Sequence, residues 1–149
     1  MTLDPATRRI ELLLVEDSPT DVLITREAIK SAGLAHVLHV VEDGVEAMAF
    51  LRREGKYARA PRPDLVLLDL NLPRKTGGEV LAELKVDEQL KAIPVVVLSS
   101  SRDQADVSRA YRLYANCYLA KPVDFPSLVE LISSLKRFWV GTATLPDGA

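Results

Sequence analysis

The sequence has little cysteine, little net charge and no long apolar stretch. Its single cysteine, Cys117, excludes an intramolecular disulfide framework and a zinc site built from several cysteines. The 19 basic and 21 acidic residues give a formal charge of −2, so the overall basic character of a nucleic-acid-binding protein is missing. No apolar run approaches the roughly 20 residues that span a bilayer, and the N-terminus lacks the apolar segment of a secretory signal. We therefore expect a cytoplasmic protein that binds neither nucleic acid nor membrane.

Short apolar runs recur at regular intervals along the chain. The 149 residues, 48% apolar and 27% charged, have the length and composition of one globular domain. Runs rich in Val and Leu that are nearly continuous, rather than alternating with polar residues, are typical of parallel strands buried on both faces. The five runs are Ile10–Val15, His36–Val41, Leu65–Leu68, Val95–Leu98 and, more weakly, Cys117–Leu119.

A helix is predicted after each strand from capping residues and helical spacing of apolar positions. The expected N-caps include Ser18, Asp43 and Ser101. Strand followed by helix, repeated five times, predicts a flavodoxin-like (βα)5 doubly wound parallel sheet with strand order 2-1-3-4-5. We expect this domain to cover residues 9–138 and to be followed by a short tail, 139–149, with no output domain.

Polar residues follow four of the predicted strands: Glu16 and Asp17, Asp69, Ser99, and Lys121. Ligands of open α/β sheets bind at the carboxyl ends of the strands, so these side chains are expected at one edge. Three clustered carboxylates repel one another and need a counter-cation, and oxygen ligands suit Mg²⁺. An Asp beside Mg²⁺ can act as a nucleophile towards phosphorus, while a lysine pairs with the phosphoryl oxygens. These groups are sufficient for phosphoryl capture.

The short motifs around these polar residues, taken in chain order, resemble those of the response-regulator receiver domain of two-component signalling. The resemblance covers about residues 9–138. Its motifs are Leu-Val-Glu16-Asp17, Val-Leu-Leu-Asp69-Leu-Asn71-Leu-Pro73, Val-Val-Leu-Ser99-Ser100 and Lys121-Pro122. Each fragment alone is a weak signal, but the ordered set is specific.

The resemblance implies a role for each matching residue. The implied roles are phosphoacceptor for Asp69; Mg²⁺ ligands for Glu16, Asp17, Asp69 and the backbone carbonyl of Asn71; contact with the phosphoryl group for Lys121 and Ser99; and conformational switch for Ser99 and Tyr118. The resemblance also implies a cis peptide bond before Pro122. One departure is Thr76, at a position where receivers commonly carry Asp, which puts the conformation of the loop after the phosphoacceptor in doubt.

A finer resemblance is to the single-domain receivers paired with bacterial phytochrome histidine kinases. It rests on Tyr-Ala-Asn-Cys-Tyr-Leu-Ala-Lys-Pro-Val-Asp-Phe, residues 114–125, on the lengthened loop before Asp64, and on the expected lack of an output domain. It implies that a histidine kinase, here a phytochrome, phosphorylates the chain, which signals by conformational or oligomeric change to an unidentified downstream protein. The chemistry would be limited to self-catalysed phosphotransfer and dephosphorylation, without an enzyme's outside substrate. Homodimerisation through the last strand–helix face and the tail stays open.

Four alternative functions remain to be weighed. The chain could be a phosphate sink that drains its kinase, or a binding module that no longer needs phosphorylation. An Asp-nucleophile phosphatase needs a second Asp two residues after the nucleophile, where this chain has Asn71, which cannot serve as a general acid. An FMN-binding flavodoxin needs a Ser/Thr-rich phosphate loop after the first strand, where this chain has Glu16 and Asp17.

Overall fold

The computed structural model describes residues 9–34, 36–142 and 144–146, in which five strands alternate with five helices. The strands are β1 (Ile10–Val15), β2 (His36–Val41), β3 (Leu65–Leu68), β4 (Val95–Ser99) and β5 (Cys117–Ala120). All neighbouring strands pair in parallel, in the order β2-β1-β3-β4-β5. The predicted flavodoxin-like fold and its strand order are confirmed. The predicted tail, 139–149, lies partly outside the described residues.

Helices follow all five strands, as predicted. They are α1 (Pro19–Ser31), α2 (Gly44–Arg52), α3 (Gly77–Val86), α4 (Gln104–Arg112) and α5 (Phe125–Leu135), which continues into a π-helical segment over Lys136–Thr142. Ser18 and Asp43 cap α1 and α2 as predicted. The predicted Ser101 cap of α4 is wrong. Asp103 caps that helix instead, because its carboxylate accepts from the Ala105 N–H at 2.9 Å, whereas the Ser101 hydroxyl donates to Asp106.

Each face of the sheet is covered by helices, which explains the nearly continuous apolar strands. Successive side chains of a strand point to opposite faces. Leu13, Val66 and Val97 therefore face the core under α2 and α3, whereas Leu12, Leu67 and Val96 face the core under α1 and α5. The central strands β1, β3 and β4 are thus packed between two layers of helices, which fixes the backbone positions from which the side chains after them extend.

The segment after α5 packs on the second of these cores. Trp139 is half-buried against it, while the neighbouring Phe138 is exposed. The peptide bond before Pro122 departs from the implied cis geometry, since no cis bond occurs among the described residues. The two isomers of such a bond differ by only about 0.5–1 kcal/mol in flexible peptides, so the local sequence does not decide between them. No helix within the described ranges is long and apolar enough to cross a membrane.

The loop between β3 and α3 follows Asp69 and ends in a well-formed helix cap. Thr76, the departure from the receiver pattern, accepts a hydrogen bond from the Glu79 N–H at 3.2 Å, and the Glu79 carboxylate accepts from the Thr76 N–H at 3.3 Å. This reciprocal capping box satisfies two backbone donors that the helix would otherwise leave unpaired. Thr76 is therefore a stable start for α3 without an acidic side chain.

Replacing Gly77 with Ala is expected to destabilise the protein, whereas the same change at Gly78 is not. A Cβ at Gly77 would overlap the Asp69 carbonyl oxygen and displace the backbone, a cost of about 1–3 kcal/mol. A Cβ at Gly78 would make only ordinary van der Waals contacts, with the Arg109 guanidinium at 3.6 Å and Leu113 Cδ1 at 3.9 Å, and alanine favours the helix. Urea denaturation of both variants measures the free energy of unfolding. Equal effects at the two glycines would contradict the close approach at Gly77.

Candidate functional site

Three carboxylates meet at the carboxyl edge of the sheet. Glu16 and Asp17 follow β1, and Asp69 follows β3, which lies beside β1. The Glu16 N–H donates to the Val41 carbonyl at 3.0 Å, and the Asp69 N–H donates to the Val15 carbonyl at 3.1 Å, so the sheet hydrogen bonding extends to both acids. The three side chains each offer an oxygen, and these oxygens lie within 4.8 Å of one another.

These acids differ in their exposure to solvent. The exposed fractions of Glu16 and Asp69 are 2% and 8%, whereas Asp17 is exposed. Asp69 Oδ1 also accepts a hydrogen bond from the Asn71 N–H at 3.1 Å, which ties the start of the following loop to the carboxylate. Two nearly buried acids this close are unstable as anions unless a cation compensates them.

Lys121 supplies one positive charge to this group. It follows β5, at the edge of the sheet, and its Nζ lies 2.6 Å from Glu16 Oε2 and 3.4 Å from Asp69 Oδ2. A third carboxylate oxygen, Asp21 Oδ2, lies 3.3 Å from the same ammonium. Sequence analysis missed Asp21. The available signal was its place in the first turn of α1, directly after the acidic end of β1.

The pKa values reflect this crowding. Burial raises the pKa of Glu16 to about 6; the hydrogen bond from Lys121 opposes the shift, and the Asp69 carboxylate adds to it. Burial alone would lower the pKa of Lys121, but the hydrogen bond to Glu16 and the charges of Asp69 and Asp21 raise it above its ordinary value. One ammonium among four carboxylates leaves a negative site, and its hard oxygen donors fit a divalent cation such as Mg²⁺ or Mn²⁺.

Ser99 and Tyr118 are linked through the residue between them in space, Ser101. Ser99 ends β4, is fully buried, and its Oγ accepts from the Ser101 N–H at 3.3 Å. The Ser101 carbonyl accepts from the Tyr118 hydroxyl at 2.8 Å, and the Ser101 hydroxyl donates to Asp106 of α4 at 2.6 Å. A continuous series of hydrogen bonds therefore joins Ser99 to Tyr118 and to α4.

Open space borders this linkage. A cavity of about 190 Å³ lies between the start of α3 and α4, and its lining includes Ser99, Ser101 and Asn71. The Lys121 N–H donates to the Ser99 carbonyl at 2.8 Å, but among the described residues the Ser99 hydroxyl makes no hydrogen bond to Asp69 or to the Lys121 ammonium. The structure thus brings Glu16, Asp17, Asp69 and Lys121 into one cluster and places Ser99 and Tyr118 in a second, adjoining linkage; the predicted residue Asn71 contacts both regions.

Known proteins are similar to this chain in sequence and fold over most of their length. Residues 12–133 match the response regulator receiver domain. The chain is 47% identical to "Response regulator Rcp1" of Synechocystis sp., over 91% of this chain and 92% of Rcp1. A crystal structure of the Mn²⁺-bound form of Rcp1 covers 92% of this chain and 99% of its own, with a TM-score of 0.85.

Two further crystal structures are similar. The phosphorylated cyanobacterial phytochrome response regulator RcpA is 48% identical, covers 94% of this chain and 100% of its own, and superposes with a TM-score of 0.88. RPA3017, a response regulator in red light signalling of R. palustris, is 36% identical, covers 92% of this chain and 98% of its own, and has a TM-score of 0.88. On the family match, the extent of identity and the fold, this chain belongs to the response-regulator receiver domain family.

Proposed function

We propose that this receiver accepts a phosphoryl group on Asp69 from a phytochrome histidine kinase, with Mg²⁺ bound at the acidic cluster. The observation that carries the proposal is the convergence of Glu16, Asp17 and Asp69 on Lys121 at one edge of the sheet. Relatives that match this chain over nearly their whole length support it, because one is a phosphorylated phytochrome response regulator and another was crystallised with Mn²⁺.

Four groups would hold the metal ion: the carboxylates of Glu16, Asp17 and Asp69 and the backbone carbonyl of Asn71. The three carboxylates have oxygens within one small region, and Asn71 is joined to Asp69 by its own N–H. Bound Mg²⁺ would offset negative charge on the phosphoryl oxygens. It would also offset the repulsion among the acids, which Lys121 alone does not cancel.

Asp69 would act as the nucleophile. A carboxylate oxygen forms a bond to phosphorus while the bond from phosphorus to the kinase histidine nitrogen breaks, and the imidazole keeps that electron pair. Burial keeps bulk water away from Asp69, since only 8% of the residue is exposed. Lys121 already lies 3.4 Å from Asp69 Oδ2, so a modest movement brings its ammonium to the transferred phosphoryl oxygens.

Ser99 and Tyr118 would convert this chemistry into a conformational change. A hydroxyl donates one hydrogen bond and accepts two, so Ser99 can donate to a phosphoryl oxygen while it keeps the bond from the Ser101 N–H. Its movement towards Asp69 draws Ser101, which is bonded to Tyr118 and Asp106. Phosphorylation shifts the population only as far as it favours the moved conformer over the resting one.

The changed surface would be formed by α4, β5 and α5, and would pass the signal by contact. In this proposal residues 9–138 act as the receiver and 139–149 as a tail, and the protein works in the cytoplasm through a downstream protein or a homodimer. Its chemistry is its own phosphorylation and dephosphorylation, without turnover of outside substrates. The exposed Tyr111 and Tyr114 near the end of α4 belong to this surface.

Phosphotransfer from a phytochrome kinase tests the proposal. The kinase is autophosphorylated with labelled ATP and mixed with the receiver, with Mg²⁺ or with EDTA. We expect label to move to the receiver only with Mg²⁺, and faster from a phytochrome kinase than from an unrelated histidine kinase. Glu88→Gln, which changes an exposed acid outside the site, should accept label at the wild-type rate.

Three results would contradict parts of the proposal. Equal rates from phytochrome and unrelated kinases would remove the phytochrome assignment and leave the receiver chemistry. A folded receiver that takes label from no kinase and from no small phosphodonor would favour a phosphorylation-independent binding module. Transfer to the receiver without any change in the exchange protection of α4 amides would favour a phosphate sink.

A further inference from the structure

Arg74, in the loop between β3 and α3, has a left-handed backbone. Its φ is +66°, a region that disfavours residues with a Cβ. Such conformations persist only where surrounding contacts hold them, and they concentrate at functional sites. Arg74 lies five residues after Asp69 and three after Asn71, so whatever holds Arg74 also restrains the loop next to the acidic cluster.

The Arg74 side chain contacts Asp43. Arg74 Nη1 lies 3.4 Å from Asp43 Oδ2, while Asp43 Oδ1 accepts from the Glu46 N–H at 2.8 Å and caps α2. One carboxylate oxygen of Asp43 therefore contacts the loop, and the other caps the helix. The Asp43 side chain is only 11% exposed, so its position is fixed by the packing of α2 on the sheet.

Gly44 and Lys75, the residues that follow Asp43 and Arg74, make a second contact between α2 and the loop. Gly44, the first residue of α2, lies so close to the Lys75 backbone that a Cβ on the glycine would overlap the Lys75 carbonyl oxygen. The Lys75 ammonium in turn pairs with Glu83 of α3. The loop is therefore fixed on one side to the start of α2 and on the other to α3.

We propose that Asp43 and Arg74 are positioning residues that hold the β3–α3 loop, and with it Asn71, in the conformation that binds the divalent cation. The inference rests on the proposed metal site and adds residues that do not touch it. A loop held in its binding conformation loses less conformational entropy when the ion binds. If the loop samples other conformations, the apparent dissociation constant rises in inverse proportion to the competent fraction.

Arg74→Gly separates this role from a contribution to folding. Glycine adopts positive φ without strain but lacks the charge that pairs with Asp43. Calorimetric titration with MgCl₂ alone should therefore show affinity weakened about 10-fold, in the range of residues that support metal ligands. The melting temperature without metal should stay the same or rise, because the relieved strain offsets the lost ion pair.

Arg53→Gly is the matched control. Arg53 has φ of +56° at the end of α2, away from the acidic cluster, so the same substitution relieves the same kind of strain. We expect its melting temperature to rise with no change in Mg²⁺ affinity. Arg74→Lys keeps the charge and should restore affinity towards the wild-type value. Asp43→Asn keeps the helix cap and should weaken Mg²⁺ binding as Arg74→Gly does, with no further loss in the double variant.

The outcomes are distinct. Unchanged Mg²⁺ affinity in Arg74→Gly, with wild-type protein that binds Mg²⁺ and is phosphorylated, overturns the positioning role. Affinity that falls equally in Arg53→Gly, or that falls only together with the melting temperature, also overturns it in favour of a structural role. Wild-type protein that binds no Mg²⁺ overturns the proposed function itself.

Discussion

Replacing Asp69 with Asn is expected to abolish phosphorylation. Wild-type protein incubated with acetyl phosphate and Mg²⁺ should gain one phosphoryl group, measured as intact-protein mass, and should gain none with EDTA. The asparagine amide has nearly the shape of the carboxylate but lacks its negative charge, and its remaining oxygen is a far weaker nucleophile. We expect the rate to fall by at least about 100-fold, as when a reacting group itself is removed.

Asp17→Asn is the control that separates the nucleophile from a metal ligand. Asp17 is the exposed acid of the cluster, and its replacement should weaken Mg²⁺ binding, so that phosphorylation recovers as the Mg²⁺ concentration is raised. Phosphorylation of Asp69→Asn should not recover at any Mg²⁺ concentration. Phosphorylation of that variant at the wild-type rate would move the acceptor to another residue.

Thermal stability gives an independent check on Asp69→Asn. Asp69 is nearly buried beside Glu16, whose pKa it helps to raise, so loss of its charge relieves repulsion in the metal-free protein. The melting temperature of Asp69→Asn without metal should therefore equal or exceed that of wild type. Loss of phosphorylation together with a collapse in stability would mean that the variant is misfolded and that activity reports on folding.

The acidic cluster could be predicted from the sequence because its position follows from the fold. Glu16, Asp17 and Asp69 directly follow the central strands β1 and β3, and parallel strands end at the same edge of the sheet. The predictions of β1, β3 and β4 held because these strands are buried on both faces and read as continuous apolar runs. No tertiary detail was needed to bring the three carboxylates together.

Other contacts could not be predicted because they depend on loop conformation and side-chain reach. The pair of Asp43 with Arg74 joins residues 31 positions apart and depends on a left-handed backbone that no residue type in the loop signals. Asp21 reaches the site only because the Lys121 side chain extends inward from the edge strand. The Ser101 cap was wrong because two acceptors, Ser101 and Asp103, lie within three positions and local sequence does not rank them.

Replacing Lys121 with Met is expected to destabilise the metal-free protein strongly and to slow phosphorylation. Methionine keeps most of the side-chain volume but leaves two nearly buried acids, Glu16 and Asp69, without their cation. Removing one partner of a buried ion pair costs about 3–5 kcal/mol. Loss of the charge that would stabilise the transferring phosphoryl group should slow phosphorylation on the order of 100-fold. Lys30→Met, which removes an exposed lysine of α1, should change neither quantity.

Lys121→Met should bind Mg²⁺ more tightly than wild type, because a competing positive charge has left the site. Added Mg²⁺ should therefore raise its melting temperature more than that of wild type. The stability defect should also shrink as pH falls from 7.5 towards 5. Glu16 already has its pKa raised to about 6, so its ionisation opposes folding above that pH, and loss of Lys121 raises the pKa further. Thermal denaturation with and without Mg²⁺ across this pH range measures all three effects. A defect that is independent of both Mg²⁺ and pH would show that Lys121 acts by packing, and that its charge does not balance the acids at this site.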